Sequence, residues 1–398
     1  MTVTPPAPPP EKDEVYSLRA GLYERAGGIL VPVAATVLAF LIGGLVVLIT
    51  GHNPLTAYKA IFEGAGFNWF LPWVTGDERD AAARDLQQTL RQATPLILAA
   101  LAVAFSFRCG LFNIGGQGQY WVGFIAALYV GTNLPDLNRP AHVLLAIGAG
   151  IVGGAIWGGI AGALRATVGA HEVITTIMLN WIAIFGGQYL FELNGPLQGA
   201  LPGLPRSEVV LDSSKLWILW SPYLHAGLLF AVGALLVYHV ILNRTTLGYE
   251  VRAVGFNPEA ARYSGIGVRR SYFLALAISG AFAGVAGAID VIGFKYSVDT
   301  SDFGTNAVGF TGIAVALLGR NKPVGIFFAG ILFAALNTGT SSRQLDPEVF
   351  EPALASDLST MIQALVIFFV GAELLIHYIW RARRYIGLKP GVPEKATP

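Results

Sequence analysis

Three side-chain amides, Asn113, Gln117 and Gln119, stand within seven residues and share their stretch with four glycines, Gly110, Gly115, Gly116 and Gly118. Each amide offers both a donor and an acceptor, so the set is equipped to hold a neutral polar ligand without charge. The run from Phe107 to Trp121 is otherwise largely apolar. A helix that breaks and restarts there aims backbone N–H groups and amides at a cavity. The competing reading is a tight interfacial turn after Arg108. A fourth amide, Asn180, lies about two helical turns beyond His171-Glu172 in the next-but-one apolar run, where it needs a hydrogen-bond partner. Glu172 itself suits a helix N-terminus.

The second informative stretch is polar. Arg244 to Ser271 reads RTTLGYEVRAVGFNPEAARYSGIGVRRS and holds five arginines against two acids, Glu250 and Glu259. Asn257 is suited to N-cap a short helix. Pro258 fits its first position, Glu259 its positive end, and Gly265 a left-handed close. Asn257-Pro258-Glu259-Ala260-Ala261-Arg262 thus reads as a capped two-turn helix with a small alanine face. It is either a docking element for a soluble partner or an amphipathic connector.

The elements that must carry these groups follow from composition. Hydrophobic residues are 54% of the 398 and charged residues 13%, with 48 glycines. A soluble domain is nearer a quarter charged. Apolar runs of about 20 residues recur, the mark of an all-α polytopic membrane protein. A net charge of +1 points to no nucleic acid. The single cysteine, Cys109, excludes an internal disulfide, and the six histidines show no pair at metal-ligand spacing. No metal or cofactor is expected. GxxxxGK[ST] and HExxH are absent, as is GxSxG, so neither ATP binding nor an enzyme is indicated.

About ten spans are expected, near Gly28–Thr50, Gln92–Phe107, Leu111–Thr132, His142–Leu164, Val173–Leu193, Tyr223–Leu242, Tyr272–Gly293, Gly304–Gly319, Pro323–Thr340 and Leu358–Trp380. The second, eighth and ninth are short, as tilted, broken or re-entrant segments are. They form a transmembrane domain over 28–387, with an N-terminal tail over 1–27 and a C-terminal tail over 388–398. With the N-terminus inside, the inside loops and tails hold 17 of the 26 Lys and Arg. That bias places both termini and the 244–271 segment in the cytoplasm. Acidic groups at Asp77–Asp85 and Asp346–Asp357 then face outside. Two halves of five spans have opposite topology, which permits an inverted repeat. Gly150, Gly154, Gly158 and Gly162 on the fourth span, and Gly280, Gly284 and Ala288 on the seventh, make small faces for close helix packing. Asp290 and Glu373 are acids within or near spans, each open to a snorkelling or interfacial ion-pair reading.

Four stretches add a resemblance. Leu111–Gln119 resembles the "LFNIG..GQ" signature of the branched-chain amino acid, ribose and nucleoside permease family of ATP-binding-cassette (ABC) importers. HEVITTIMLNW (His171–Trp181), Gly248–Gly287 and GFTGIAVALLG (Gly309–Gly319) resemble its nucleoside branch. The likeness runs from the first span to the last. It implies a permease in the cell's inner (plasma) membrane that imports nucleosides, especially purine nucleosides. It also implies a cytoplasmic ABC ATPase, a second related permease and an extracytoplasmic, lipid-anchored binding protein of the basic membrane protein type. The coupling helix maps onto Asn257–Gly265. Relatives often carry Glu where this chain has Gln117, so an acidic ligand contact is not carried over. Phe112, Trp121 and Trp181 are candidates to stack on a base, and Asn113, Gln119 and Asn180 to bond its edge or ribose. A simple sugar or a branched-chain amino acid is the runner-up solute. An ion-coupled secondary transporter would need a titratable midplane pair, which the sequence lacks.

Overall fold

The computed structural model describes residues 32–200, 203–341 and 352–371. The expected tails, the start of the first span, Asp346, Glu348, Glu351 and Glu373 lie outside the described residues. The chain is a multi-pass membrane protein: six described helices are long and apolar enough to cross a bilayer. They are α1 (Pro32–Ile49), α3 (Gly76–Phe107), α5 (Arg139–Val168), α6 (Glu172–Phe191), α7 (Gly227–Arg244) and α10 (Val268–Asp290), the last continued by a π turn over Val291–Lys295. Between and after them come α2 (Pro54–Gly64), α4 (Gly116–Asn133), α8 (Thr246–Phe256), α9 (Pro258–Tyr263), α11 (Asp302–Thr305), α12 (Val308–Leu318), α13 (Pro323–Gly339) and α14 (Pro352–Gly371). The all-α expectation needs one amendment, a small antiparallel hairpin of β1 (Ile218–Trp220) and β2 (Leu224–His225).

Burial sorts the helices. From Ala93 to Ser106 every residue of α3 is buried, so this apolar half is the central post of the bundle. Its first half is amphipathic, with Asp77 and Glu78 in the opening turn. The expectation of a short second span was therefore wrong. The helix has 32 residues, and hydropathy detected only the half that is buried on all sides. The sixth span starts at Gly227 rather than Tyr223, because the hairpin takes the preceding residues. Of the tilted, broken and re-entrant forms open to the short eighth span, the structure has a break, α11 and α12 being separated at Asn306-Ala307. By contrast, α6 turns Ile174, Met178, Trp181, Ile182, Phe185 and Tyr189 outward. An apolar stripe of that size is costly in water and natural against lipid tails or a membrane partner.

The glycine faces do what their spacing implies. A Cβ at Gly284 would fall on the Gly150 carbonyl oxygen, and one at Gly154 on that of Gly280. Helices α5 and α10 therefore touch backbone to backbone, and Gly123 brings α4 against Gly284 in the same way. Gly284→Val should force the three helices apart. The cost should reach at least the upper part of the about 1–3 kcal/mol typical of overpacking. Thermal unfolding in detergent measures it, with Gly148→Ala as the neutral control, since nothing lies within 4 Å of a Cβ there.

Candidate functional site

Helix α3 stops because Gly110 takes a left-handed conformation, φ 72°. The Gly110 and Leu111 amides bond back to the Phe107 and Ser106 carbonyls, both at 3.1 Å, which closes the helix end. The chain then runs without helical structure to Gly116, where α4 begins. Backbone in that state inside an apolar bundle must find partners other than water.

The amides supply them. Asn113 Nδ2 donates to Gln119 Oε1 (2.9 Å) and to Ser279 Oγ on α10 (2.7 Å). Its Oδ1 accepts from Gly115 N (2.9 Å) and Gln119 Nε2 (3.2 Å). Ser279 Oγ donates in turn to the Ala102 carbonyl on α3. Asn180 on α6 accepts from Gly118 N (2.7 Å) and donates to the Ile114 carbonyl (2.9 Å). Gln117 joins this break to the second one. It donates to the Asn306 carbonyl (2.6 Å) and accepts from Gly309 N (2.7 Å). A carboxylate accepts only, so Gln117 makes a pair of bonds that an ionised Glu would not. Asn113, Gln117, Gln119 and Asn180 are all at most 2% exposed.

Of the six expected contact residues, Asn113, Gln119 and Asn180 therefore meet at one junction of α3, α4, α6 and α10, with their amides already paired. Trp121 lies further along α4, fully buried, with its ring 4.2 Å from that of Phe303 on α11. Its Nε1 has no partner among the described residues. The other two aromatics lie apart: Phe112 stacks on Phe107, and Trp181 is 52% exposed and stacks on Phe185.

Sequence reasoning missed the group around Trp121. Phe303 is wedged between α4 and α6, its ring on Gly187 and parallel to Phe191. Lys295 Nζ holds Asp302 at 2.8 Å and lies 5.8 Å over the Trp121 ring. Asp290 is buried and makes no ion pair among the described residues. It accepts from Tyr120 Oη, which also accepts from Asn306 Nδ2 at 3.2 Å. The signal available in the sequence was the pair of polar residues, Asp302 and Asn306, that bracket Phe303.

The capped polar helix is present as α9. Asn257 Oδ1 accepts from Glu259 N (3.0 Å) and Ala260 N (3.1 Å). Gly265 is left-handed, and Gly265 N and Ile266 N close the far end on Arg262 and Ala261. Arg262 and Glu259 form an exposed pair at 3.4 Å. The two alanines diverge: Ala261 is buried on the protein's own side, while Ala260 faces out. The large outward groups are Phe256 and Tyr263, 90% and 94% exposed. Behind them Gly255 lies directly against the Arg108 carbonyl, and a Cβ on Gly110 would meet Gly255 Cα at 3.4 Å. The helix pair α8–α9 thus rests on the turn that leads to Asn113.

Residues 86–371 match the model of the family described as branched-chain amino acid transport system / permease component. The chain is 35% identical over 370 residues to the guanosine ABC transporter permease protein NupP of Bacillus subtilis, covering 90% of this chain and 97% of that one. It is 34% identical over 359 residues to the nucleoside ABC transporter permease protein NupB of Lactococcus lactis subsp. cremoris, covering 87% and 92%. It is also 35% identical over 352 residues to the glucose ABC transporter permease protein TsgB13 of Haloferax volcanii, covering 85% and 86%. Each of the two nucleoside-system bacteria contributes a second, more distant permease relative. This chain belongs to that family of ABC transport permeases and is a transporter component rather than an enzyme.

Asn180→Leu should leave the Gly118 N–H and the Ile114 carbonyl buried without partners, each costing about 1–3 kcal/mol. The α4–α6 junction should loosen. A lowered unfolding temperature, with faster hydrogen exchange confined to residues 111–120, is the expected result. Unchanged exchange there would show that Asn180 holds nothing.

Proposed function

We propose that this chain is the permease subunit of an ATP-driven importer of purine nucleosides. The observation that carries the reading is identity of about one-third to both a guanosine and a nucleoside permease, over nearly the whole of each chain. HEVITTIMLNW lies inside that span and supplies Asn180 to the junction. The partners are a cytoplasmic ABC ATPase, a second related permease and an extracytoplasmic lipid-anchored binding protein. Ten spans with both termini in the cytoplasm fit the excess of basic residues on the α8–α9 side.

In this mechanism closure of the ATPase dimer pushes on the α8–α9 unit. The caps at Asn257 and Gly265 keep α9 rigid, and Phe256 and Tyr263 supply the surface that docks. Gly255 passes the displacement to the Arg108–Gly110 turn and so to Asn113. The paired amides are then the groups that exchange partners: they bond to one another when the path is empty and to the solute's edge when it is filled. Trp121 and Phe303 provide aromatic surface further along. Phe112 and Trp181 contribute only if the second permease or a different conformation brings them to the path.

A sugar permease is the second reading, favoured by the Haloferax relative of equal identity. Uptake separates the two. Cells carrying the whole importer should accumulate labelled guanosine or adenosine, and excess inosine should block this, while excess glucose or leucine should not. Block by glucose, with accumulation of labelled glucose itself, moves the assignment to sugars. No ATP-dependent uptake of any nucleoside ends the nucleoside reading.

The docking role has its own test. Tyr263→Asp should abolish uptake and solute-stimulated ATP hydrolysis while binding to the extracytoplasmic receptor persists. In intact cells an impermeant maleimide should label Asp80→Cys and not Ser264→Cys. Cys109 is buried and gives no background. Labelling at 264 would invert the orientation, and uptake that survives Tyr263→Asp would make α9 a connector only.

A further inference from the structure

We propose that a groove between α7 and α13, at the membrane face that carries α8 and α9, is a binding site for one anionic phospholipid. The groove has a volume of about 840 Å³. Its walls are apolar, with Leu235 and Leu236 from α7 and Val324 and Phe327 from α13. Its rim is cationic. Arg108 comes from the α3–α4 turn, Arg252 from α8 and Lys322 from the turn before α13. No acidic side chain lines the groove, and none of the three cations has an ion-pair partner among the described residues.

The rim is held in shape. Arg108 Nη2 and Tyr238 Oη both donate to the Asn321 carbonyl at 2.8 Å. That uses one of the five N–H donors of the guanidinium and leaves the charge uncompensated. Arg252 bonds the Gly248 carbonyl through Nε at 3.3 Å, within its own helix. The first turn of α13, which has no side-chain cap, adds the positive end of its dipole. A largely apolar trough bordered by three cations without ion-pair partners among the described residues is complementary to a lipid with a phosphate head and a net negative charge. A zwitterionic lipid carries its own cation and matches the rim less well. A soluble anion matches the rim but leaves the trough unfilled.

The placement has a consequence for coupling. Each of the three cations sits on a different element: the turn leading to the amide junction, the α8–α9 unit, and the α12–α13 turn. A single phosphate group bonded to all three ties these parts together, so occupancy should set how far a push on α9 is transmitted. This inference does not depend on which solute is carried.

The assembled importer can be purified from membranes of equal phosphatidylglycerol and phosphatidylcholine, and its retained lipid identified by native mass spectrometry. Phosphatidylglycerol should be retained in preference by about tenfold or more, since each basic residue near an anionic lipid is worth about fivefold. Arg252→Gln and Lys322→Gln should each reduce the preference by about fivefold. Leu236→Trp, at an exposed position in the trough, should displace the lipid with the charges intact. Arg270→Gln, an exposed cation of the same face outside the groove, should leave the retained lipid in place. Equal retention of both lipids would overturn the proposal. So would a preference that survives both rim substitutions, or a Leu236→Cys cross-link to the second permease, which would make the groove a subunit interface.

Discussion

Unwound backbone in the middle of an apolar bundle has to be paired, and in this protein the pairing is done by side-chain amides. The segment from Leu111 to Gly115 and the break at Asn306-Ala307 both leave helical geometry where water is scarce. Asn113, Gln119 and Asn180 satisfy the first, and Gln117 ties it to the second. The helices around them pack so as to hold these two breaks together. The α3 post is apolar on all sides so that it can pass beside them. Glycines line α5 and α10 so that their backbones can close around α4.

This arrangement is neutral. Amides can exchange partners without any change of protonation, and they can trade a protein partner for a polar solute at little net cost, since each hydrogen bond lost is replaced by one of the same kind. An ion-coupled transporter needs charge at that depth instead. The chain itself carries no GxxxxGK[ST] nucleotide motif. Gly255 of α8 lies on the Arg108 carbonyl, and five residues later comes Asn113. A Cβ at position 255 would separate the two elements, so glycine there is a condition of the contact.

The region around Trp121 is built on different principles. Phe303, Trp121 and Phe191 form an aromatic wedge, latched by Lys295–Asp302 and backed by Tyr120, Asp290 and Asn306. The region beside α8–α9 is joined through glycine contacts and bordered by Arg108, Arg252 and Lys322. One region is thus held by aromatic packing and an ion pair, and the other by close backbone contacts at glycine.

The sequence by itself determined the membrane class, most of the long apolar helices, the glycine packing faces and the caps of α9. These are local properties: hydropathy, four-residue spacing, and the chemistry of Asn, Pro and Gly at a helix end. The families of LFNIG and HEVITTIMLNW were also legible, because their residues are contiguous. Only the tertiary structure decided which amides meet. Asn113 and Ser279 are 166 residues apart, and nothing local distinguishes an amide facing a cavity from one tied to another helix. The same holds for Ala260 and Ala261, adjacent in sequence and opposite in exposure, and for Trp181, whose aromatic ring points outward rather than into the junction. The length of α3 escaped hydropathy because its first half is amphipathic and only its second half is buried on every side. Periodicity tells which residues share a helix face. What that face meets is set by the packing of the other helices.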